Sequence, residues 1–529
     1  MIRGLQHWYP FLFALVPILH ILTRNPGGSR LDDIAVVIGV ALLLTAVIYM
    51  VVALVLQGRG SRALVPVVVL ALVMLCYGKT ALGSVSRQVA GAPPIAVLAA
   101  LLVIIALGVW WLSRRQRSLD RVNRFFALTG LLLVAWLGFQ FAANLIRGRS
   151  AIARSILAQD LSQPVASIHP VSSPADAQPD VYLIVLDEYA NAGVLEEQFQ
   201  FDNRPFEDSL RQLGFTIPRS VRSNYVHTLL SLPSLLNFSH LTRLTAEAGP
   251  RSTDATLPNY LLENNRTTVF LKRLGYRFLF FPSQWWPSTS RNPNADWQFE
   301  PWSGFDPVRD ATRSDLRRSL LATTALALVK QDNAWDTDYI RRTLAALERV
   351  PGRPEPTFSF AHIMSPHWPY VFTADCRVVK QASTNGQGGR KRAYSDQLRC
   401  LNRLLLHTVT TILQGSATPP LILLQGDHGT NLLRYSDAKS AAMVAPAQAR
   451  ERFGAFGAYY LPDGGGRLFA DSVTVVNVFQ RVLSHYYGAA VSPSADDLYM
   501  SLERTPYDFV KIDPVSLRPV SKSAIGKRS

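Results

Sequence analysis

Five long apolar stretches crowd the first 150 residues, roughly Trp8–Leu22, Ile34–Leu56, Leu64–Tyr77, Ile95–Leu112 and Phe125–Ile146. A helix needs about 20 apolar residues to cross a bilayer, with 17 near the lower limit. The second, fourth and fifth stretches meet that length, and the first and third draw on their flanks. The same region holds 14 Lys/Arg but only three acids, Asp32, Asp33 and Asp120, so it carries +11 of the formal +16. A soluble enzyme and a disordered chain are both excluded. The basic residues sit in short gaps between apolar runs, where they read as topology signals rather than a nucleic-acid patch. No nucleic-acid partner is expected.

The arginine cluster Arg114, Arg115, Arg117, Arg121 and Arg124 sets the orientation. Placed in the cytoplasm, it takes Arg3, Arg59 and Arg62 with it and leaves Arg24, Arg30, Lys79 and Arg87 outside. Everything after the fifth span then lies outside the cytoplasm; Arg147 and Arg149 run against this. The first run has no small-residue cleavage site and more spans follow, so a removable signal peptide is not expected. Cys76 reads as a small buried apolar residue of the third span. Cys376 and Cys400 fall in the outer part, where an oxidising compartment permits them to pair.

Residues 150–178 are rich in Ser, Pro and Ala and read as a linker. Beyond it, short apolar runs alternate with helical patterns. Val181–Leu186, Arg277–Phe281, Phe358–Ile363, Leu421–Leu424 and Gly457–Leu461 read as strands buried on both faces. Thr268–Leu274, Leu316–Lys330, Thr337–Glu348, Ser395–Leu413 and Val473–Tyr486 read as helices. The expectation is a multi-pass helical membrane domain of about five spans over 1–149, then an α/β domain with a mainly parallel sheet over 179–510, then a tail over 511–529.

In such sheets ligands bind beyond the carboxyl ends of the strands. The first strand runs into Asp187 and Glu188, a later one into Gln-Gly-Asp427-His428-Gly, and a third reaches His362 with His367 five residues on. Carboxylates and imidazoles converging there suit a divalent metal such as zinc or manganese. Singly, each Asp reads equally well as a helix cap or turn residue. The segment SNYVHTLLSLPSLLN supplies Thr228, Ser231 and Ser234, as hydroxyl nucleophiles or as caps of a helix start.

The runs LIVLDEYA, NYVHTLLSLPS, HIMSPHWPY and GDHG occur in an order and context that resembles the alkaline-phosphatase/sulfatase-like superfamily. The architecture, spans followed by an extracytoplasmic catalytic domain, is similar to that of lipid A phosphoethanolamine transferases and lipoteichoic acid synthase. The resemblance implies an enzyme of the bacterial inner membrane with its catalytic domain in the periplasm. It implies metal ligation by Glu188, Asp427 and His428, with Thr228 as metal-bound nucleophile and Asp187 as a ligand or a neighbour of one. His362 and His367 match histidines that contact the substrate phosphate or the leaving group. Two departures stand out: Ser231-Leu-Pro233-Ser-Leu235 has leucine where formylglycine sulfatases have arginine, and no histidine follows His428 until His485.

The implied reaction moves a phosphoryl-linked head group from a membrane phospholipid to an envelope glycan or lipid, through a phosphothreonine. Two other readings remain at this point: a sulfatase-like phosphodiesterase or sulfate-ester hydrolase using water, and an inactive scaffold of envelope polysaccharide assembly. The aromatic stretch with Trp285, Trp286, Trp297, Phe299, Trp302 and Phe305 reads either as a loop facing bilayer or sugar, or as packed surface. Thr384–Arg392 reads as a flexible basic loop.

Overall fold

The structure, a computed structural model, describes residues 7–24, 31–57, 61–88, 93–115, 119–166, 178–283, 289–300, 315–328, 334–379, 384, 386–469 and 471–520. The chain forms two compact units, one of residues 1–149 with 304–332, the other of 150–303 with 333–529.

The first unit is helical. Asp33–Val55, Pro94–Leu112 and Asp120–Arg154 are long and apolar enough to cross a membrane. Ala63–Cys76 and Lys79–Val85 are bent by 77° at their junction and make a fourth span if taken as one. Tyr9–Arg24 has 16 residues, about 24 Å at 1.5 Å each, which is short of the hydrocarbon thickness. The described residues therefore give three or four spans rather than five. Leu43, Leu54, Ile104, Leu107, Leu132 and Phe139 are exposed on these helices, as lipid-facing positions are. Cys76 is exposed too, not buried.

A helix that the sequence places in the α/β domain belongs here instead. Asp315–Thr323 buries Leu316 against Ile18, Leu22, Val37 and Ala41, and Arg317 Nε meets Asp33 Oδ1 at 2.6 Å. An acid at the start of an apolar helix is costly without such a partner.

The second unit is built on a six-stranded sheet. In chain order the strands used here are β1 (Val181–Leu186), β2 (Ser220–Arg222), β3 (Arg277–Phe281), β4 (Trp297–Gln298), β5 (Thr357–Ile363), β6 (Leu421–Gly426) and β7 (Gly457–Tyr460). The large sheet has the order β4-β3-β5-β1-β6-β7. Only β7 runs antiparallel, against β6. Every residue of β1, β5 and β6 is buried, as a doubly covered parallel sheet requires. Side chains alternate between the faces. Tyr182, Ile184 and Leu186 pack with Leu398, Leu401 and Leu405 of the helix Gly386–Gly415. Val181, Leu183 and Val185 pack with Leu232, Leu235 and Phe479. Each such aliphatic side chain contributes about 1.5–3 kcal/mol by burial. The register sets Leu186 opposite Ile363 on one side and Gly426 on the other, so the carboxyl ends of the three central strands are level.

Several boundaries differ from the sequence reading. Gly386–Arg392 opens a 30-residue helix rather than forming a loop, because the buried stripe of that helix holds its first turns in register. Val473–Tyr486 is a strand, Ser472–Thr474, a short turn, and a helix only from Val478 to Tyr487. The supposed linker is partly helical: Ile156–Ser162 is capped by Ser155 and buries Leu157 and Leu161 beside Leu241 and Leu244. The strand Thr505–Ile512, with Ile512 bridged to Pro519, carries the domain past residue 510. Trp297 and Phe299 pack against the core cluster beside Phe281 instead of facing bilayer or sugar. Trp285, Trp286, Trp302 and Phe305 lie outside the described residues. Cys376 and Cys400 are joined as a disulfide, with Cα atoms 5.0 Å apart.

Candidate active site

Where β1 ends, the backbone leaves Leu186 into two acids that point to different partners. Asp187 N–H donates to Ile363 O (3.0 Å), and Asp187 O accepts from His367 N–H (3.1 Å), which stitches the loop after β5 to this end. Glu188 takes φ +59°, a left-handed conformation that side-chain-bearing residues adopt only when surroundings impose it. Its N–H donates to Asp427 Oδ1 at 3.2 Å. Beyond β6, the turn at Gly429 admits no side chain, since a Cβ there would lie 1.9 Å from Glu451 O.

Thr228 is the first residue of the helix Thr228–Asn237, so its hydroxyl sits in the positive field of the helix N-terminus. Thr228 Oγ1 donates to Asp427 Oδ2 at 2.7 Å and lies 3.1 Å from His428 Nε2. His428 Nε2 is 3.2 Å from Asp427 Oδ2. Ser231, one turn on, donates its hydroxyl to Asp427 O at 2.5 Å, which ties the helix to the β6 end. Thr228 and His428 line a cavity of about 670 Å3, together with Asp187, Glu188, His367 and Arg452.

Beneath this cluster, ligand atoms of Asp187, His362 and Asp427 lie within 4.8 Å of one another, all buried. Asp187 Oδ1 and His362 Nε2 make no hydrogen bond, although His362 Nε2 is 3.3 Å from Asp187 Oδ2. His362 Nδ1 is held by Thr289 Oγ1 at 2.7 Å. Burial opposes ionisation of Asp187, but the imidazoles of His367 and His362 outweigh it and hold the carboxyl below its ordinary value. Burial and the charge of Asp187 push Asp427 well up. Two adjoining buried carboxylates, an orphaned oxygen and an orphaned imidazole nitrogen fit a divalent cation, which neutralises both acids. Burial and the neighbouring Arg452 hold His428 neutral, the form that binds metal. Burial, then Arg452, lowers His227 to about 3. His367 is the exception: burial opposes its charge, but Glu188 and Asp187 raise it above its ordinary value, and it lines the cavity.

Thr228, Asp427, His428 and His367 thus lie at one end of the sheet together with Asp187. Two expected roles do not fit the geometry. His362 is buried and absent from the cavity wall, so it cannot reach a leaving group; it points at Asp187. The Glu188 carboxylate is taken by Arg452, with Nη1 to Oε1 at 2.8 Å, and is not among the three groups whose ligand atoms lie within 4.8 Å of one another. Arg452, Thr289 and Glu451 went unnoticed in the sequence. A single arginine before a strand and a threonine in a Pro/Ser-rich stretch carry no spacing signal.

The Sulfatase family profile matches residues 179–467, more than half of the chain. No curated protein sequence matches it significantly. Among solved structures, the C-terminal periplasmic domain of EcEptC from Escherichia coli, in complex with Zn, is similar over 65% of this chain and 90% of its own, at 12% identity and a TM-score of 0.42. The integral membrane lipooligosaccharide phosphoethanolamine transferase A of Neisseria meningitidis is similar over 92% of this chain and 96% of its own (12% identity, TM-score 0.40). An alkaline-phosphatase-superfamily protein of Vibrio parahaemolyticus is similar over 69% and 90% (14% identity, TM-score 0.40).

Proposed function

The chain belongs to the sulfatase family, and from that premise we propose that it is a metal-dependent phosphotransferase of the bacterial inner membrane. It takes a phosphoryl-linked head group from a membrane phospholipid and passes it to an envelope glycan or lipid by way of Thr228. The observation that carries this reading is the Thr228 hydroxyl, 2.7 Å from Asp427 Oδ2 at a helix N-terminus and open to the cavity. The disulfide supports a catalytic domain on the oxidising side of the membrane, and the apolar helices support a location beside lipid substrates.

A zinc or manganese ion would be held by Asp187, His362 and Asp427, with Thr228 Oγ1 and His428 Nε2 alongside. When bound, it supplies positive charge that favours an ionised threonine and a more anionic phosphoryl group. The protein's own groups do the rest. Thr228 Oγ1 is aimed by Asp427 Oδ2, which accepts its proton as the oxygen bonds to phosphorus. His367, in its protonated form, gives a proton to the departing lipid alcohol. The product of this half is an O-phosphothreonine diester carrying the head group. In the second half His367, now neutral, takes the proton of the acceptor hydroxyl, which attacks phosphorus and releases Thr228, and Thr228 Oγ1 takes its proton back from Asp427 Oδ2. Phosphoryl transition states carry diffuse negative charge, so fixed positive groups such as His367 matter more than covalent assistance. Thr228 cannot become formylglycine, and Leu235 replaces the arginine that chemistry uses, which weighs against sulfate-ester hydrolysis.

The test is intact-mass analysis of the full-length protein in detergent after exposure to bacterial membrane lipid. A mass gain on Thr228, absent in Thr228→Ala, is expected. No adduct in wild type, with unchanged biological activity of Thr228→Ala, overturns the reading. A labelled head group that reaches only water would identify a hydrolase instead.

A further inference from the structure

Arg452 is the least expected member of the site. Its guanidinium is buried and every nitrogen is engaged. Nε donates to Val226 O at 2.8 Å. Nη1 donates to Gly429 O at 2.6 Å and to Glu188 Oε1 at 2.8 Å. Nη2 lies 3.2 Å from His428 Nε2, and the group stands 5.1 Å from the centre of the Tyr435 ring. Five partners from four stretches of the chain, at 188, 226, 428–429 and 435, thus fix one charge that never dissociates in proteins. A buried guanidinium of this kind is tolerated only where opposite charge meets it.

The charge count completes the picture. Asp187, Glu188 and Asp427 bring three negative charges to one end of the sheet. A single dication and one guanidinium match these three, which leaves the protonated His367 to meet the substrate phosphate; two dications and the guanidinium would overshoot. The geometry divides the carboxylates in the same way. Asp187 and Asp427 share the buried group with His362, and Glu188 is turned to Arg452. The division falls at Glu188, whose backbone is left-handed.

We infer that Arg452 is a built-in second cation: it holds Glu188 and His428 in place and leaves a centre that takes one divalent metal through Asp187, His362 and Asp427. This rests on the metal-dependent reading above. Arg452 is a positioning residue, acting on the metal through Glu188 and His428. It replaces by a fixed side chain what a second metal would otherwise supply.

The test reads metal content rather than turnover. Full-length protein in detergent, stripped by chelator and reloaded with zinc or manganese alone, is assayed for bound metal after desalting. Affinity is measured by competition with a chromogenic chelator. One equivalent is expected in wild type. Asp187→Asn and His362→Ala should each weaken it by more than about 100-fold, whereas Glu188→Gln should stay within about tenfold. Arg452→Gln, which frees the Glu188 carboxylate and His428 Nε2, should admit a second, weaker equivalent, and Arg452→Lys should remain at one. Two equivalents in wild type, or Glu188→Gln losing metal as Asp187→Asn does, overturns the inference. So does Arg452→Gln that folds yet stays at one. If Arg452→Gln does not fold, the comparison of Glu188→Gln with Asp187→Asn still decides. A wild-type protein that holds metal and forms the Thr228 adduct while Glu188→Gln loses metal refutes only the role of Arg452. A wild type that holds no metal refutes both.

Discussion

Glu451 holds the loop that follows the Asp427–His428 turn, and removing it should release that loop selectively. The carboxylate is buried and accepts three hydrogen bonds: from Thr430 Oγ1 at 2.5 Å, Leu432 N at 2.5 Å and Leu433 N at 2.9 Å. Thr430, Asn431 and Leu432 form part of the cavity wall. Hydrogen bonds to a charged acceptor contribute about 1.5–3 kcal/mol each. Part is offset by the cost of burying the acid, seen in its raised pKa, and part by water entering the space in Glu451→Ala. A net loss of about 3 kcal/mol local to the loop remains, which is roughly a hundredfold. Hydrogen exchange on the full-length protein in detergent, resolved to single amides, reads this directly. Protection of the Leu432 and Leu433 amides should fall by roughly a hundredfold, while the β6 amides keep theirs. Glu451→Gln, with one carbonyl oxygen in place, should fall between. Unchanged protection at both amides in Glu451→Ala would show that the loop is held by something else and refute the reasoning.

Gly429→Ala should cost more than about 3 kcal/mol or prevent folding, since its Cβ would strike backbone at Glu451 and Gly454. Gly249→Ala, with a positive φ but open space, should cost about 1 kcal/mol. A thermal ramp read by size-exclusion chromatography checks both, and a Gly429→Ala melt within about 2 °C of wild type contradicts the packing. Burial raises Glu207 despite Asn203 and Arg211, so the folded state binds its proton more tightly than the unfolded one. The stabilisation is complete below the unfolded value of about 4.3 and lost as pH rises through the higher folded value. Melting of Glu207→Gln should therefore gain on wild type between about pH 4 and pH 7; a gap moving the other way counts against it. The bond between Cys376 and Cys400 spans a sequence separation of 24, for which loop closure predicts about 3.5 kcal/mol. Reduction of the full-length protein should lower the melting temperature of the catalytic unit, and an unchanged melt would argue that the ends are held without it.

Much of the catalytic sheet was legible because its strands are apolar on both faces and end in ligand-type residues. β1, β5 and β6 declare themselves by composition, and parallel order follows from the helices between them. Thr228 was legible only beside Asp427 and His428, as one piece of an ordered set. What the sequence hid is whatever depends on side-chain direction. Nothing in LDEYA says that Asp187 turns to His362 while Glu188 turns to Arg452. The helix Asp315–Thr323 was misassigned for a related reason. Its amphipathic pattern reports that one face is buried, never against which partner, and here the partners are Ile18, Leu22 and Val37. The basic stretch at Gly386–Arg392 looked like a loop because glycine and charge mask a helix whose later turns carry the burial.

The return of residues 304–332 to the first unit bears on how the enzyme could ever be freed from its anchor. The polypeptide passes between the units three times, once near 150 and once on either side of the helix Asp315–Thr323. A protease nick near 150 alone would leave Leu316 stripped of its apolar neighbours and Arg317 of Asp33. The fragment would carry a sticky patch and tend to clump. Shedding a well-behaved α/β half would take excision of that inserted helix as well.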